Sequence, residues 1–316
     1  MKKALLFPGQ GSQEVGMAHD LFEASPDFRA LIELGSDLTH ENLEALCLRG
    51  PEKRLRRSFF LQPVLVAVSL GYLKRFAEQE ESVDVVLGHS LGEITALAAA
   101  GMVSDRQAVT IAAKRGELMD EAAARCNGGM LAVLSVPLET VQELLAEIGE
   151  PDRLTVANDN APDQVVLSGD IDLLRRFSDG LTARRLGRCR PLPVAGPWHS
   201  PLMEPARQAF EHWIAKIDFL APKIPIILNA TGAVESDPQK IRQLITGQLT
   251  APVLWRDCMN LLKRMEVGLL LEVGPGRVLS GLARVNGLGG ETRIFNLNNL
   301  RGLAHYREEA RQPGEK

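Results

Sequence analysis

The sequence predicts an α/β protein in which a large domain is interrupted by a smaller one, and three observations support this. A chain of 316 residues exceeds the usual size of a single hydrophobic core. A Gly-x-Ser-x-Gly pentapeptide at 88–92 follows an apolar run and precedes a helical stretch, as at a strand-to-helix turn. Residues 127–195 carry strand and helix patterns in the order β-α-β-β-α-β, which is typical of a ferredoxin-like unit. We therefore predict a large domain of residues 1–126 and 196–316 around a small domain of 127–195.

In the first part of the large domain, the sequence pattern predicts one strand followed by helices. Residues 3–7 form a short apolar strand that ends in the glycine-rich segment 8–13. This segment matches neither a dinucleotide fingerprint nor a phosphate-binding loop, so a ligand-binding loop and a simple tight turn both remain open. Apolar residues at helical spacing then predict helices over about 27–46 and 62–78.

Periodicity predicts the remaining elements in chain order. The small domain is predicted to contain strands at 130–135, 154–158, 164–168 and 188–194, and helices at 138–148 and 171–181. Its two ends would lie close together, as an insertion into a larger domain requires. The large domain resumes near Gly196 with strands at 222–228 and 268–273. The glycine-rich loop 274–276 then lies at the carboxyl end of a strand, where open α/β sheets bind ligands.

Composition excludes several classes of protein. Hydrophobic residues make up 45% of the chain and charged residues 24%, which is ordinary for a globular protein. The apolar run at the start is too short for a secretory signal, so we expect a cytoplasmic protein. Four scattered cysteines without Cys-x-x-Cys spacing indicate reduced thiols rather than disulfides or a zinc site. The stretch 83–103 contains polar and charged residues and fails as a membrane span. A net charge of −4 argues against nucleic acid as the main partner.

Ser90, at the centre of the pentapeptide, is the candidate nucleophile. A sharp strand-to-helix turn crowds the backbone on both sides, which explains glycine at 88 and 92. The serine then lies at a helix N-terminus, where unpaired backbone N–H groups can stabilise an oxyanion.

A serine hydroxyl needs a base to become a nucleophile. His89 adjoins the serine, but neighbouring side chains diverge on a sharp turn, so we expect it to support the loop. His199 is the better candidate because it follows the return from the small domain, where the chain can line a cleft. An ordinary histidine at a domain seam is the alternative. No Asp or Glu is indicated as a third member of a triad.

A second candidate lies on the helix that begins after the N-cap Ser104 and runs to about residue 124. Arg115 falls near the middle of its apolar stripe. A guanidinium there stays charged and needs an anionic partner. An internal carboxylate and a ligand anion both fit this requirement.

Several motifs occur in the order seen in malonyl-CoA:acyl carrier protein transacylases, which the chain resembles from about residue 3 to residue 300. The family includes enzymes of fatty-acid synthesis and free-standing acyltransferases of polyketide synthases. The resemblance implies an α/β-hydrolase-like core with an inserted ferredoxin-like subdomain. The motifs are Gly9-Gln10-Gly11-Ser12-Gln13, Gly88-His89-Ser90-Leu91-Gly92-Glu93, Arg115-Gly116, Asn158-Asp159-Asn160, His199-Ser200 and Glu272-Val273-Gly274-Pro275-Gly276.

The resemblance also implies roles for individual residues. Ser90 would take a malonyl group from coenzyme A and pass it to the phosphopantetheine thiol of an acyl carrier protein. His199 would be the base and then the acid, oriented by the backbone carbonyl of Gln248. Gln10 and Leu91 would supply the N–H groups of the oxyanion hole. No cofactor or metal is implied, because the coenzyme A thioester and the carrier's phosphopantetheine are substrates.

Four further residues would contact substrate. Arg115 would clamp the malonyl carboxylate with two hydrogen bonds. His89 would line the site, and Asn160 would border the acyl group or the coenzyme A arm, unless Asn160 is a simple turn residue. Trp198 would exclude a methyl branch by its bulk, as in malonyl-specific domains. The preceding Gly196 and Pro197 fit neither the fatty-acid nor the polyketide pattern, so the acyl unit stays open.

Two basic stretches, residues 53–57 and 184–190, are candidates for docking an acidic carrier protein. The second is favoured because it borders the expected cleft, through Arg184, Arg185, Arg188 and Arg190. We expect a monomer. Two alternative activities remain open, an acyl-carrier-protein acyl hydrolase of a polyketide pathway and a transacylase for another dicarboxylic acyl-CoA.

Overall fold

The protein contains ten strands and fourteen α-helices within residues 1–78 and 82–311, which the computed structural model describes. The strands are β1 Lys2–Phe7, β2 Val85–Gly88, β3 Gly128–Leu134, β4 Leu154–Ala161, β5 Gln164–Asp170, β6 Arg188–Pro191, β7 Ile226–Leu228, β8 Ala233–Glu235, β9 Val267–Val273 and β10 Arg293–Leu297. The helices are α1 His19–Ala24, α2 Pro26–Thr39, α3 Leu43–Arg49, α4 Glu52–Leu55, α5 Ser58–Ala77, α6 Gly92–Ala99, α7 Asp105–Ala123, α8 Leu138–Ile148, α9 Ile171–Ala183, α10 Glu204–Ile214, α11 Pro238–Gly247, α12 Trp255–Arg264, α13 Val278–Val285 and α14 Leu300–Arg311.

The large sheet has the strand order β10-β9-β1-β2-β7-β8 and is parallel except for β8. Alternate residues of β1 enter two separate cores, since Leu5 and Phe7 pack with α5 and α7 whereas Ala4 and Leu6 pack with α12 and α13. Helices therefore cover both faces of the sheet, as parallel strands require. The carboxyl ends of β1, β2 and β7 meet at one edge.

The small sheet has the order β4-β5-β3-β6 with every pair antiparallel. This is the strand order of the predicted ferredoxin-like unit. Leu131 and Val133 of β3 face α8 and α9 in a core of their own. Met130 and Ala132 lie on the opposite face of the sheet, which looks toward the large sheet. The α/β fold class predicted from the sequence is confirmed.

Two predicted helices differ from the observed ones. The helix predicted over 27–46 is two helices, because His40 adopts left-handed backbone (φ 53°) and ends α2. The side chain of Asn42 then caps α3 by accepting a hydrogen bond from the N–H of Ala45 at 2.8 Å. The second predicted helix begins four residues early, at Ser58, and Pro63 lies inside its first two turns.

Two predicted strands are shorter than expected. The strand predicted over 188–194 ends at Pro191, which cannot donate a ladder hydrogen bond. The strand predicted over 222–228 begins at Ile226. Residues 192–194 and 222–225 are loops instead.

Helix α5 is a long, apolar and largely buried helix of the protein's core. It is long and apolar enough to cross a membrane, but 78% of its most apolar 18-residue window is buried inside the protein. Helix α5 packs against α2 and α7 and behaves as a core helix.

Candidate active site

Ser90 lies on a tight turn between β2 and α6. We call this turn, residues 88–92, the elbow. Its backbone is left-handed (φ 51°), which only a constrained turn imposes on a serine. A Cβ at Gly88 would lie 1.9 Å from the carbonyl carbon of Gly92, and a Cβ at Gly92 would lie 2.0 Å from the oxygen of Phe7. Both positions therefore require glycine. The turn presents the serine side chain above the carboxyl edge of the large sheet.

His199 is hydrogen bonded on both ring nitrogens. Its Nδ1 lies 2.8 Å from the backbone oxygen of Gln248, and its Nε2 lies 2.7 Å from Ser90 Oγ. A carbonyl oxygen only accepts, so Nδ1 carries the hydrogen and Nε2 is free to accept from the serine hydroxyl. Burial and the nearby Arg115 cation lower the pKa of His199 to about 3. The imidazole is therefore neutral at physiological pH, as a general base must be.

Arg115 is buried beside the serine, with 1% of its surface exposed. Nη1 donates to Gln62 Oε1 at 3.0 Å, and Nη2 donates to Gln248 Oε1 at 2.8 Å and to Ser90 Oγ at 3.3 Å. All three acceptors are neutral, and within the described residues Nε has no hydrogen-bond partner. Burial lowers the pKa of Arg115 to about 10, so the guanidinium stays charged at pH 7.

A second buried ionisable group, Glu93, interacts with Arg115 from the first turn of α6. Its Oε1 accepts from the N–H of Asn229, and its Oε2 accepts from Nε2 of Gln248. Burial raises the pKa of Glu93 to about 8, while Arg115 and the two donors oppose that rise. The carboxyl group is thus held by donors on both oxygens and acts on Arg115 through space rather than by direct contact.

Asn229 ties the same network to the elbow from the carboxyl end of β7. Its Oδ1 accepts from the N–H of Ser90 at 2.7 Å, and its Nδ2 donates to the oxygen of Gly88 at 2.8 Å. The side chain of Gln248 also donates to the oxygen of Ser90 at 3.1 Å. The left-handed turn is therefore held from two directions by residues more than 130 positions away.

A cavity of about 200 Å³ opens above the serine between the two sheets. Polar groups of the elbow line one side, and apolar side chains from the cleft-facing side of the small sheet and from α13 line the rest. The lining includes Gln10, Ser90, Met130, Ala132, Val166, Leu192, Val194, Trp198, His199 and Leu279. A narrow, mostly apolar passage to a polar end suits an elongated thioester.

The other residues singled out in the sequence lie at or near this cavity. His89 and Asn160 both line it, and His89 Nε2 lies 2.8 Å from Asn160 Oδ1. Burial lowers the pKa of His89. The backbone of Gly9 packs on the elbow, since a Cβ there would lie 2.4 Å from the oxygen of His89 and 3.7 Å from the nitrogen of Leu91. Gln10, the next residue, also lines the cavity.

The four arginines of the favoured basic stretch, residues 184–190, lie in different surroundings. Arg184 donates two hydrogen bonds to Glu147 of α8. Arg188 and Arg190 are exposed on the edge strand β6, where Arg190 pairs with Ala132, a residue of the cavity wall. Arg185 is exposed with left-handed backbone. Only Arg188 and Arg190 of these four are carried on the strand that borders the cleft.

Sequence reasoning missed three residues of the buried network: Gln62, Glu93 and Asn229. Gln62 was detectable as a polar residue inside an otherwise apolar helix, and Asn229 as a polar residue directly after a strand. Glu93 follows Ser90 by three positions but offers no local signal, because its partners come from distant segments. In residues 1–78 and 82–311, no group of three or more His, Cys, Asp or Glu side chains is arranged to hold a metal ion.

The family profile described as the acyl transferase domain matches residues 4–279. The chain is 35% identical to the malonyl CoA-acyl carrier protein transacylase of Bacillus subtilis over 284 residues, 90% of each protein. It is 36% identical to the polyketide biosynthesis malonyl CoA-acyl carrier protein transacylase PksC of the same organism, over 88% of this chain and 94% of that one.

Solved structures agree with these relatives. A malonyl-transacylase of a type II polyketide synthase, solved in complex with its acyl carrier protein, superimposes with a TM-score of 0.91. Its sequence is 32% identical, and the match covers 98% of this chain and 100% of that chain. The chain belongs to the malonyl-CoA:acyl carrier protein transacylase family within the acyl transferases. The resemblance found in the sequence is thus confirmed.

Proposed function

We propose that the protein moves a malonyl group from coenzyme A to the phosphopantetheine thiol of an acyl carrier protein through an ester on Ser90. The observation that carries this proposal is Arg115, a buried cation whose hydrogen bonds go only to neutral groups and whose Nη2 lies 3.3 Å from Ser90 Oγ. An acyl group on that oxygen would bring a terminal carboxylate against the guanidinium. The names of the relatives support the same substrates.

The first half-reaction forms the ester. His199 Nε2 takes the proton of Ser90 as Oγ bonds to the thioester carbonyl carbon, and the carbonyl oxygen becomes an oxyanion. When that intermediate collapses, the carbon–sulfur bond breaks and the leaving thiolate takes the proton from Nε2. The second half-reaction runs these steps in reverse order with the carrier's thiol as nucleophile, so the histidine serves as base and acid in turn.

The oxyanion is stabilised by backbone N–H groups of Leu91, at the start of α6, and of Gln10, from the loop after β1. The packing of Gly9 on the elbow supports this assignment because it fixes the distance between the two loops. Donors fixed before the reaction need no reorganisation as charge develops, which is the main source of their effect.

Trp198 restricts the acyl group to an unbranched one. Its ring lines the cavity and packs on Gly196, where a Cβ would lie 2.7 Å from the ring. Glycine at 196 therefore permits this ring position, and the indole occupies volume that an α-methyl branch would need. Malonyl is the dicarboxylic unit that satisfies both Trp198 and Arg115.

The exposed Arg188 and Arg190 on β6 are proposed to meet the acidic carrier protein.

Intact-mass analysis after incubation with malonyl-CoA tests the ester. We expect a single malonyl addition in the wild type and none in Ser90→Ala, with Ser236→Ala, at an exposed position, as a matched serine control that still loads. Adding holo carrier protein should discharge the ester with malonyl appearing on the carrier. Release of free malonate at the same rate with and without carrier would instead establish a hydrolase, and persistent labelling of Ser90→Ala would refute the nucleophile.

A further inference from the structure

A second cavity lies against the active-site cavity. It measures about 690 Å³ and is lined by residues 51–54, 56 and 57 from the start of α4 and the segment before α5, and by 193–195 from the segment after β6. Val194 lines both cavities. The two cavities are therefore adjacent, and Val194 lies at the boundary between them. We call the second cavity the basic pocket.

Cationic side chains dominate the wall of the basic pocket: Lys53, Arg54, Arg56 and Arg57, against the single carboxylate of Glu52. Lys53 has no hydrogen bond or ion pair within the described part of the chain. Arg56 pairs with Glu52, yet its Nε is buried and without a hydrogen-bond partner among the described residues. These two residues leave donors free for an anion.

The other two arginines are held in place by packing. Their guanidinium carbons lie 5.6 Å (Arg54) and 5.1 Å (Arg57) from the ring centre of Phe60. Arg54 pairs with Glu41, and Arg57 lies 3.4 Å from Asp120. Both arginine side chains are still 56% exposed, and a phosphate group can accept from such a guanidinium with two oxygens at once. Apolar residues Pro51 and Pro193 complete the wall and offer a surface for a flat ring.

We propose that the basic pocket binds the phosphorylated adenosine head of coenzyme A while the pantetheine arm extends past Val194 to Ser90. The inference rests on the proposed function, since it assumes that a coenzyme A thioester loads the serine. A concave pocket of this size suits a nucleotide with several phosphate groups. A carrier protein, in contrast, needs an accessible surface, which the edge strand β6 provides. The basic side chains of residues 53–57 thus serve the donor, and Arg188 and Arg190 serve the acceptor.

Binding of three ligands separates this proposal from its competitors: coenzyme A, dephospho-coenzyme A, which lacks the 3′-phosphate, and pantetheine, which lacks the whole head. Isothermal titration with the Ser90→Ala protein measures binding without any ester, so the result does not depend on turnover. We expect affinity to fall from coenzyme A to dephospho-coenzyme A to pantetheine. In Lys53→Ala/Arg56→Ala, affinity for coenzyme A should fall about 10- to 100-fold, while affinity for pantetheine changes less than twofold.

The control removes the same charges elsewhere: Arg175→Ala/Lys216→Ala, at exposed positions away from both cavities, should bind coenzyme A as the wild type does. Lys53→Ala alone, which removes no described contact, guards against misfolding and should show part of the loss. Equal affinity of the unmutated pocket for coenzyme A and pantetheine would overturn the proposal. So would a loss confined to discharge by the carrier protein. Tight head-dependent binding without any ester on Ser90 in the wild type would leave the basic pocket supported and refute the proposed function instead.

Discussion

Arg115 and Arg184 each interact with an acidic side chain, but one arginine is buried and the other is exposed. Arg184 is half exposed and pairs with Glu147 through two hydrogen bonds on the surface of the small domain. Arg115 is buried, and Glu93 acts on it only through space. The Arg184–Glu147 pair satisfies both charges by direct contact. A buried guanidinium without a bidentate partner costs desolvation free energy that the protein recovers only when an anion arrives, so its position indicates function.

Among the substitutions considered, replacement of the buried Arg115 should change malonyl loading most. In Arg115→Ala, we expect malonyl loading of Ser90 to fall about 10²- to 10⁴-fold, because two charge-assisted hydrogen bonds to the malonyl carboxylate are lost. Acetyl loading should be unchanged or increased, since acetyl has no carboxylate. Quenched-flow loading followed by intact mass measures both rates.

Arg115→Lys is the matched control for charge. It keeps the cation but not the planar pair of donors, so loading should be intermediate. A malonyl-to-acetyl preference that stays the same in Arg115→Ala would refute the clamp.

The partner carboxyl group should affect stability in a pH-dependent way. The folded pKa of Glu93 is about 8, above the model-compound value of 4.5, so the folded protein holds a proton that the unfolded chain releases. Its stabilising contribution is complete below about pH 4.5 and is lost as pH rises through 8. His199, with a pKa lowered from 6.5 to about 3, acts oppositely and only below pH 6.5. Above pH 6.5 the contribution of Glu93 therefore declines, while the contributions of the buried His89 and His199, whose pKa values are lowered, are already present.

Between pH 6.5 and 8, the free energy of unfolding should decline with pH in the wild type, and the decline should be smaller in Glu93→Gln. Urea unfolding at pH 6.5, 7.2 and 8 measures it. Glu121→Gln, an exposed carboxyl group on α7, is the control and should follow the wild type. Identical slopes in the wild type and Glu93→Gln would contradict a raised pKa at this position.

The surface arginine should have the smallest effect. In Arg184→Ala we expect no change in malonyl loading and an unchanged melting temperature within error, because an exposed pair is screened by solvent. Discharge by carrier protein should also be unaffected, whereas Arg188→Ala/Arg190→Ala should slow it, more at low than at high salt. A slower discharge in Arg184→Ala alone would extend the docking surface to the helical side of the small domain.

Local sequence signals predicted the elements whose structure depends on neighbours in the chain. The elbow at Ser90 follows from two glycines, and the start of α7 follows from Ser104, whose capping box with Gln107 is present. The β-α-β-β-α-β order predicted the small sheet. The pattern over 27–46 was misread because the left-handed residue at the break is His40, not a glycine that would have revealed it.

The site itself was predictable only in part. Ser90, Arg115 and His199 each carry a local signal: a motif, a charge on an apolar stripe and a histidine at the return from the small domain. The position of Gln248 came from resemblance, since nothing in its own segment indicates that its backbone faces a histidine 49 residues away. Whether the partner of Arg115 is a protein carboxylate or a ligand stayed open until the fold placed Glu93 close to the guanidinium but out of contact with it.

The sequence by itself determined the fold class, the turn that exposes Ser90 and the family, because these depend on short-range sterics, periodicity and ordered motifs. Tertiary structure decided the network that joins Ser90 to Gln248 and Asn229, and the placement of residues 53–57 beside the cavity. In the network, Ser90 contacts Asn229, which is 139 positions away, and Gln248, which is 158 positions away. Hydrogen bonds and charges act over a few ångströms, so only the folded chain brings such distant groups within range.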